Sequence, residues 1–554
     1  MKTKGINAGL SRRDLFKLGG VAAVGVAGLS TLSACSPQGG SATADASSKT
    51  ASSLDPAVSG HYAEVLPSFL AEPEPIAESD IVETKEYDVV VVGAGAAGVT
   101  CALSAVENGA TVAVLQKEAK VVSQGNTGTG IDLTASGEGA AGAVLGLLLK
   151  GNAYRSNPEL NRVWTENSGE AVSWVIERAA EAGAQVSNIG NRMAAPVSVV
   201  NDIPITYVTS EFGPKPYTAG DGMAVLATVA ESKGAEFFFN TPGQQLVKDG
   251  DAVVAVIGKG PDGYIKFVGT KGIILATGDF QNDTAMSDYY LPDLKHFTRK
   301  QMNKTGDGHK MGIWAGATME NLGHTKCLHD FDGGPASMCD MPFLNVNMEG
   351  KRYANETCEM ADQANFLKQE ENTGYYAQLF DSSYQEKAAG WPGVLQTPEA
   401  LATWMPEESV ERKGVFEDLI STYKADTLEE LAKKIDVPAD ELKKTVERYN
   451  ELSEKGIDLD FGKPAKFMTT SLTTPPFYAM KRWLRVTATF SGLNVNTESA
   501  VLDANGSPIE GLYAIGNVAG NYYGGVDYPM TIPGQSLGRC YTFGYVVGRA
   551  VATK

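Results

Sequence analysis

The chain is organised around residues Glu86–Gly130, EYDVVVVGAGAAGVTCALSAVENGATVAVLQKEAKVVSQGNTGTG. The apolar run Tyr87–Val92 leads into a glycine turn, Gly93–Gly98, after which a helical pattern opens and a second apolar run follows at Thr111–Leu115. A strand, a glycine turn, a helix and a strand in this order predict a dinucleotide-binding unit, because the glycines let the backbone approach a pyrophosphate at the positive end of a helix. The alternative is a glycine-rich turn in an ordinary α/β domain.

Length and composition bound what the rest of the chain can be. With 554 residues the chain is too long for one hydrophobic core, so two or three domains are expected. The formal net charge of -19 argues against a nucleic-acid partner, which calls for a basic surface. The six cysteines form no CxxCH haem motif and no CxxC pair, and the five histidines show no metal-ligand spacing, so we expect no metal site.

The first residues resemble an export leader. Ser11–Lys17 (SRRDLFK) looks like a twin-arginine signal, a short apolar stretch follows at Leu18–Leu32, and Leu32–Cys35 (LSAC) resembles a lipoprotein cleavage box. We therefore expect export of the folded protein to the periplasm or cell surface, with tethering to the membrane through a lipid on Cys35. The alternative is an uncleaved anchor helix that contains a chance cysteine.

Short motifs follow one another through the rest of the chain in a distinctive order. They are VVGAGAAG, SQGNTGTG, ATGDF, TGDG, LEELAKKI, ERYN, PPFYA, GLYAIGN and GQSLGRCYTFGY. With these motifs the chain resembles the fumarate reductase/succinate dehydrogenase flavoprotein family, which includes soluble fumarate reductases, urocanate reductase and 3-ketosteroid dehydrogenases. The resemblance implies bound FAD, an α/β Rossmann-like FAD-binding domain with an inserted α+β capping domain, and an active site between the two domains.

The sequence pattern changes inside this region. After Glu320 the chain has Pro/Gly-rich loops and then charged helical stretches at 426–434 and 438–453, which indicate an insertion. Strand and turn signals return from Lys481, and a closing helix is expected at 536–550. The predicted division is an export signal at 1–35, a flexible tether at 36–80, the FAD-binding domain at 81–320 and 471–554, and the capping domain with its charged helices at 321–470.

The resemblance also implies which residues bind FAD. They are Gly93, Gly95, Ala96, Ala97 and Gly98 in the glycine turn, Gln116 and Lys117 after the second strand, Gln124, Gly125, Asn126, Thr127, Gly128 and Gly130 in a second loop, Thr277, Gly278 and Asp307 near the adenine half, and Gly516, Asn517, Ser536 and Leu537 at the ribityl chain and flavin ring. Two positions depart from the family. Gln116 replaces the acid that binds the ribose hydroxyls, and Asn517 replaces the glutamate of an Ala-Gly-Glu sequence. An amide can still hydrogen-bond a hydroxyl, so FAD remains the expected cofactor, with weaker ribose binding.

The substrate site differs more strongly from that of fumarate reductases. Those enzymes hold a dicarboxylate with arginines and histidines, because two carboxylates require fixed cations. At three matching positions this chain has Gln385, Ala488 and Thr531, and only His324 matches a substrate histidine. We therefore expect a small-molecule substrate other than fumarate, neutral or with one negative charge, and we place His324 and Gln385 in its pocket.

In place of the lost clamp, the chain has the segment Asp527–Arg539, DYPMTIPGQSLGR. Ketosteroid dehydrogenases carry a tyrosine and a glycine before a similar TFGY helix, where they polarise a carbonyl, and Tyr528 and Gly534 match these with two extra residues between them. Tyr528 is the first choice as proton donor and Arg539 the second. The neighbouring tyrosines at 522, 523 and 541 are alternatives. Tyr528 could instead only shape the loop, and Arg539 could cap the closing helix or pair with a carboxylate.

The expected reaction is hydride transfer from flavin N5 to an activated C=C bond of an enoate or enone. The chain shows no haem motif, no second nucleotide fold and no site for covalent FMN, so a membrane cytochrome or quinol-linked partner is the expected electron donor. The alternatives are a 3-ketosteroid-type dehydrogenase, which runs the reverse chemistry, and a non-catalytic flavin electron carrier. Cys327, Cys339 and Cys358 are expected to be buried thiols, the alternative being an iron–sulfur cluster.

Overall fold

The computed structural model describes residues 67–554, apart from 195–196, 215–217, 296, 330–332 and 369–373. The predicted export signal, Cys35 and most of the predicted tether lie outside the described residues. The strands are β1 (Ile81–Val92), β2 (Val112–Leu115), β3 (Thr127–Ile131), β4 (Val186–Asn188), β5 (Val199–Val200), β6 (Ile203–Pro204), β7 (Tyr207–Phe212), β8 (Ala235–Phe238), β9 (Gly243–Asp249), β10 (Ala252–Gly260), β11 (Gly263–Leu275), β12 (Lys326–His329), β13 (Leu344–Asn347), β14 (Tyr375–Asp381), β15 (Thr422–Ala425), β16 (Phe477–Trp483), β17 (Arg485–Thr489), β18 (Ala500–Leu502) and β19 (Pro508–Ala514). The helices are α1 (Ala96–Glu107), α2 (Ala140–Gly151), α3 (Pro158–Glu181), α4 (Asn191–Ala194), α5 (Ala219–Ser232), α6 (Thr284–Tyr290), α7 (Asp307–Trp314), α8 (Met360–Leu367), α9 (Tyr384–Lys387), α10 (Pro398–Ala402), α11 (Leu428–Ile435), α12 (Ala439–Lys455) and α13 (Gln535–Ala552).

The glycine turn follows a central strand of the largest sheet. This sheet has the order β18-β19-β11-β1-β2-β8, with β10 and then β9 added beside β11. β1 is parallel to β11 and to β2, and β2 is parallel to β8. The valines 89–92 are at most 3% exposed, because a parallel sheet is covered on both faces. A mostly parallel sheet with the glycine turn at the carboxyl end of β1 confirms the predicted α/β fold class.

Glycines allow α13 to pack closely on α1. A Cβ on Gly544 would lie 2.6 Å from the Ala97 carbonyl oxygen, and one on Gly548 would lie 2.4 Å from the Cys101 carbonyl oxygen. Larger side chains at these two positions would push the helices apart, since backbone atoms cannot move aside cheaply. The close contact fixes the last helix against the helix that follows the glycine turn.

A second, antiparallel sheet has the order β13-β14-β16-β15. α11 and α12 cover it with the buried side chains of Leu431, Leu442 and Tyr449, among others. The sheet includes β16, which lies within the predicted closing part of the FAD-binding domain at 471–554. The predicted boundary at residue 470 therefore does not coincide with the edge of this sheet, because strand pairing between distant segments leaves no local signal. The division into domains stays a prediction.

The end of the predicted tether is packed on the fold. Phe69 is 5% exposed, and its carbonyl oxygen accepts a hydrogen bond from Trp314 Nε1 at 2.9 Å. Ile76 N donates to Gln245 Oε1 at 2.9 Å. Residues 67–80 therefore differ from the predicted flexible segment, because the aromatic ring of Phe69 is buried. Among the described residues, no helix has both the length and the hydrophobicity that a membrane-spanning helix needs.

Candidate active site

A cavity of about 1900 Å³ opens where β1, β2 and β11 end. Its lining begins with Val92, Leu115 and Ala276 at these strand ends and continues to α8 and to the loop that precedes α13. In open α/β sheets, ligands bind in the crevice at the carboxyl ends of the strands. The volume exceeds the usual 300–1,000 Å³ or so of a small-ligand pocket, so it can take a large cofactor together with a substrate.

The glycine turn has the geometry that a pyrophosphate needs. Gly93 has a φ of +111°, and a Cβ there would lie 2.5 Å from the Ala276 carbonyl oxygen. A Cβ on Gly98 would lie 1.9 Å from the Gly93 carbonyl oxygen, so Gly98 serves helix packing and does not line the cavity. α1 begins after Gly95 without a side-chain cap. The first N–H groups of α1 are thus available to a phosphate, and Gly93, Gly95, Ala96 and Ala97 line the cavity.

The adjoining wall comes from the residues after β2 and from the start of α7. Gln116 is buried, and its Nε2 donates to the Lys120 carbonyl oxygen at 3.1 Å. Lys117 Nζ lies 2.9 Å from Asp307 Oδ2 and 2.7 Å from Thr305 Oγ1. Gln116, Lys117 and Asp307 all line the cavity. These polar groups fit the ribose and adenine half of FAD, although the carboxylate that would be expected at Gln116 is replaced by an amide.

Lys304 lines the cavity but was not among the predicted site residues. It lies beside the turn at Gly278, where a Cβ would be 3.0 Å from its Nζ, and Thr277 and Gly278 line the cavity next to it. Burial lowers the pKa of Lys304, and the charge of Asp279 opposes the shift. Burial raises the pKa of Asp279 to about 6, opposed in turn by Lys304. A cation here suits an anionic cofactor. The available signal was its place in the NKTGDG motif, two residues before Gly306.

The start of α13 brings a second uncapped helix terminus to the cavity. Its N-cap is Gly534, whose φ is +79° and whose carbonyl oxygen accepts from Thr129 N at 3.0 Å. A Cβ on Gly534 would lie 2.4 Å from Thr129 Oγ1, so only glycine lets the helix begin this close to β3. Gly516, Asn517, Gly534, Ser536 and Leu537 all line the cavity. The positive end of this helix fits the predicted place at the flavin ring.

Tyr528 lies on the cavity wall within an aromatic cluster. Its ring centroid is 4.9 Å from that of Phe490 and 5.2 Å from that of Tyr523, and these two are 5.1 Å apart. Burial raises the pKa of Tyr528 well above its ordinary value of 10.0, while the Ser536 backbone N–H acts in the opposite direction. The phenol therefore stays protonated at neutral pH and can donate. Nothing in the local sequence distinguished Phe490 from other core aromatics.

Besides Gly98, two further predicted cofactor glycines lie away from the cavity. A Cβ on Gly128 would lie 2.3 Å from the Tyr541 ring, and one on Gly130 would lie 2.2 Å from the Ser168 carbonyl oxygen. Both glycines belong to the buried strand β3, which pairs with β7. The predicted loop at 126–130 was therefore wrong, because these glycines serve close packing. Only the residues just before them, Gln124, Gly125, Asn126 and Thr127, reach the cavity.

Three predicted substrate or catalytic residues are likewise absent from the cavity lining in the described part of the chain. Arg539 is 2% exposed, and its Nη2 donates to Asn517 Oδ1 at 2.9 Å, behind the wall. His324 Nδ1 lies 2.6 Å from Ser491 Oγ. Gln385 belongs to the short helix α9. The three side chains therefore do not line the cavity, and for Arg539 and His324 the reason is that packing turns them toward Asn517 and Ser491. Ala488 and Thr531 do line it.

The three cysteines considered for an iron–sulfur cluster can be located in the described part of the chain. Cys327 and Cys339 are buried, Cys358 is half-buried, and none of the three forms a disulfide within the described residues. Burial raises the pKa of Cys327 to about 12, which keeps it a neutral thiol. In the ranges that the structure describes, no three His, Cys, Asp or Glu side chains are arranged to hold a metal ion.

The fold and the cavity together define a flavoprotein oxidoreductase. Residues 88–528 match the FAD binding domain family, and the chain belongs to this family. FAD is thus the cofactor, as the resemblance implied, and the glycine turn, the Lys304 cation and the two helix termini described above fit it.

The chain is similar to several bacterial reductases. It is 26% identical to vinyl phenol reductase of Lactiplantibacillus plantarum over 503 residues, which cover 84% of this chain and 96% of the relative. It is 26% identical to digoxin reductase of Eggerthella lenta over 601 residues, which cover 97% of this chain and 98% of the relative. It is 26% identical to NADH:fumarate oxidoreductase of Klebsiella pneumoniae over 499 residues, which cover 85% of this chain but only 48% of that protein. The chain thus spans about half the length of the Klebsiella protein.

Solved structures show the same fold. The open conformation of a flavocytochrome c3 fumarate reductase aligns with a TM-score of 0.65 at 24% identity, over 86% of this chain and 79% of the other. The 3-ketosteroid delta1-dehydrogenase of Sterolibacterium denitrificans aligns with a TM-score of 0.65 at 19% identity, over 84% of this chain and 99% of the other. These two likenesses concern the fold alone. The match to the FAD binding domain family and the relatives named as reductases identify the protein as an FAD-dependent oxidoreductase and confirm the resemblance.

Proposed function

We propose that the protein reduces an activated C=C bond of an enoate or enone other than fumarate, and that Tyr528 is the proton donor. The observation that carries the proposal is the buried Tyr528 on the wall of the cavity that also receives the start of α13. The likeness to vinyl phenol reductase supports C=C reduction, since a vinyl group is a C=C bond. The proposal narrows the established class, FAD-dependent oxidoreductase, to one reaction.

The chain's own residues have two tasks in this reaction. Bound FAD supplies the hydride. Its arrival at the β-carbon of an enone or enoate leaves negative charge on the carbonyl oxygen, and a well-placed backbone donor such as the Gly534 N–H lowers the barrier by ~3 kcal/mol. The Tyr528 hydroxyl delivers a proton to the α-carbon. The surrounding rings of Phe490 and Tyr523 keep water from this hydroxyl. Arg539 is not assigned the proton, because it lies behind the wall.

The charges of the cavity wall argue against a dicarboxylate. Ala488 and Thr531, which stand where fumarate reductases have cations, present uncharged side chains to the cavity. Because a dicarboxylate needs fixed cations at both ends, these uncharged side chains favour a substrate that is neutral or carries one negative charge.

A second candidate is the reverse chemistry, a 3-ketosteroid-type dehydrogenase. Tyr528 and Gly534 both line the cavity, and this pair resembles the tyrosine and glycine of that group. A non-catalytic electron carrier is less well supported, because the proposed flavin site opens into a cavity much larger than a carrier needs.

We also propose that the protein works outside the cytoplasmic membrane. The SRRDLFK and LSAC motifs support twin-arginine export and a lipid on Cys35. Relatives that are named fumarate reductase (cytochrome), from Shewanella frigidimarina, support a cytochrome or quinol-linked electron donor. A useful rate of reduction by NADH alone would contradict this donor.

The test is an anaerobic reoxidation assay. Purified protein without its leader is loaded with FAD and reduced with a viologen dye. It is then mixed with fumarate, urocanate, cinnamates, other aromatic enoates and unsaturated ketosteroids. We expect rapid flavin reoxidation by an enoate or enone and none by fumarate. Preference for fumarate would contradict the inference that a site with Ala488 and Thr531 does not bind a dicarboxylate. Reoxidation only by dyes or cytochromes would favour the electron carrier. Reduction of oxidised enzyme by a saturated ketosteroid would favour the dehydrogenase.

A further inference from the structure

Arg539 is a buried guanidinium with aromatic neighbours. Its central carbon lies 5.2 Å from the Tyr522 ring centroid, 5.1 Å from that of Tyr523 and 6.0 Å from that of Phe490. Its Nη2 donates to Asn517 Oδ1 at 2.9 Å, whereas Nε has no hydrogen-bond partner among the described residues. Ring faces attract a cation, but they do not cancel its charge.

Among the described residues, this guanidinium has no ion-pair partner, since no carboxylate oxygen lies within 4.0 Å of its nitrogens. A buried charge is costly without such a partner, and proteins keep uncompensated charges mainly where they serve a function. The acid that Arg539 influences is Glu320, whose pKa burial raises to about 7 while Arg539 acts to lower it. Below that pH Glu320 is mostly neutral, so the positive charge of Arg539 is left uncompensated.

The charge lies directly behind the cavity wall. Asn517 and Phe490 both line the cavity, and both contact Arg539. Arg539 is in α13, four residues after Gln535, the first residue of this helix. The positive charge of Arg539 therefore adds to that of the N-terminal end of α13, which lies at the cavity. The other charged pair nearby is Asp279 and Lys304, and each of them opposes the pKa shift of the other. The substitutions described below leave this pair in place, so it contributes alike in the parent and in the variants.

We propose that Arg539 is a positioning residue that holds Asn517 in place and supplies an uncompensated positive charge behind the flavin, which makes bound FAD easier to reduce. A reduced flavin is more negative than an oxidised one, so a fixed cation in a low-dielectric interior favours the reduced form. The inference concerns the cofactor and goes beyond the proposed function, because it holds for any substrate.

The experiment compares Arg539→Gln and Arg539→Lys in the FAD-loaded protein, with the midpoint potential measured by dye titration at about pH 6, below the Glu320 pKa. Arg539→Gln should lower the ratio of reduced to oxidised flavin at a fixed potential about tenfold, equal to about 30 mV for a two-electron couple. Arg539→Lys, which keeps the charge, should stay within about threefold of the parent. An unchanged ratio in Arg539→Gln, or an equal loss in both variants, would overturn the role of the charge.

Glu320→Gln gives an independent measurement that leaves Arg539 in place. The groups facing Glu320 are the Ser491 hydroxyl, the Asn521 and Gly492 backbone N–H groups and the Arg539 guanidinium. At about pH 8.5 the ionised Glu320 of the parent opposes the Arg539 charge, so the variant should be reduced about threefold more readily. At about pH 5.5 both proteins carry a neutral side chain here and should agree. Equal potentials at both pH values would contradict the proposal even if Arg539→Gln did not fold.

Discussion

The Lys368 ammonium group lies 3.1 Å from Asp527 Oδ2, which ties the residue after α8 to the residue before Tyr528. Lys326 Nζ lies 2.9 Å from Asp527 Oδ1, and Asp293 Oδ2 lies 2.6 Å from Lys326 Nζ and 2.9 Å from Lys368 Nζ. Two lysines and two aspartates thus alternate in a partly buried ring. Such a network restrains a loop better than an isolated surface pair does.

We predict that Asp527→Asn lowers turnover without loss of FAD. The amide cannot hold both lysines, so the loop that carries Tyr528 becomes less well fixed, and a misplaced proton donor costs about tenfold or more in kcat. The kcat is measured by steady-state reoxidation of viologen-reduced enzyme, and the FAD content is measured by absorbance. Glu429→Gln, which breaks the exposed pair of Glu429 and Lys443, is the control and should leave kcat unchanged. Equal kcat in the parent and Asp527→Asn would show that the ring has no part in placing Tyr528.

We predict that Tyr528→Phe loses turnover while FAD binding and reduction by viologen persist. The phenyl ring keeps the contacts with Phe490 and Tyr523 but cannot donate a proton, so kcat should fall about 100-fold or more. Tyr545→Phe is the matched control, because the Tyr545 hydroxyl donates to the exposed Glu170 on the outer side of α13. A variant with full turnover would return Tyr528 to the alternative role of shaping its loop.

The central sheet and the glycine turn could be predicted because their signals are local. Val89–Val92 form a continuous apolar run, and the glycine spacing appears directly in the sequence. The helix expected at 438–453 lies at Ala439–Lys455, since its apolar residues recur at helical spacing. The predictions that failed concern residues whose environment depends on long-range packing. Gly128 and Gly130 match a motif, but their backbone is a buried strand whose partner lies some eighty residues further along the chain.

The substrate end was harder to predict for the same reason. Arg539 and His324 were chosen by residue type and by position in a motif, and neither property reveals which way a side chain points. Arg539 points to Asn517, and His324 points to Ser491. Phe490 and α8 reach the cavity through contacts between segments far apart in sequence, which a single sequence does not encode in a readable pattern.

Gly98→Ala should abolish FAD binding or folding. The added Cβ would lie 1.9 Å from the Gly93 carbonyl oxygen and 3.3 Å from the Ala276 Cβ, so the glycine turn would have to move away from its pyrophosphate-binding shape. Gly142→Ala is the control, because a Cβ there meets nothing within 4 Å and alanine is the better helix former. The measurement is FAD content after purification together with thermal unfolding. Full FAD content in Gly98→Ala would contradict the assigned role of the turn.

Glu320 should make the stability of the protein depend on pH. Burial raises its pKa in the folded state to about 7, against 4.5 for the unfolded chain. Below pH 4.5 the side chain is protonated in both states, and its contribution is fully present. Between that pH and about 7 only the unfolded state ionises, so stability is lost as pH rises, and above about 7 the loss stays constant. Glu320→Gln cannot ionise and should escape this loss, which is on the order of 3 kcal/mol.

The free energy of unfolding of parent and Glu320→Gln, measured by denaturant titration from about pH 4.5 to 8, tests this. The variant should equal the parent at the acidic end and become progressively more stable above it. Glu429→Gln should show no such gain, since Lys443 lowers the pKa of the exposed Glu429 carboxyl group and its pH-dependent contribution is lost only below about pH 4.5. If the difference between Glu320→Gln and the parent did not change with pH, the Glu320 carboxyl group would have the same pKa in the folded and unfolded protein and would be ionised beside Arg539 at neutral pH. The charge behind the flavin would then be compensated.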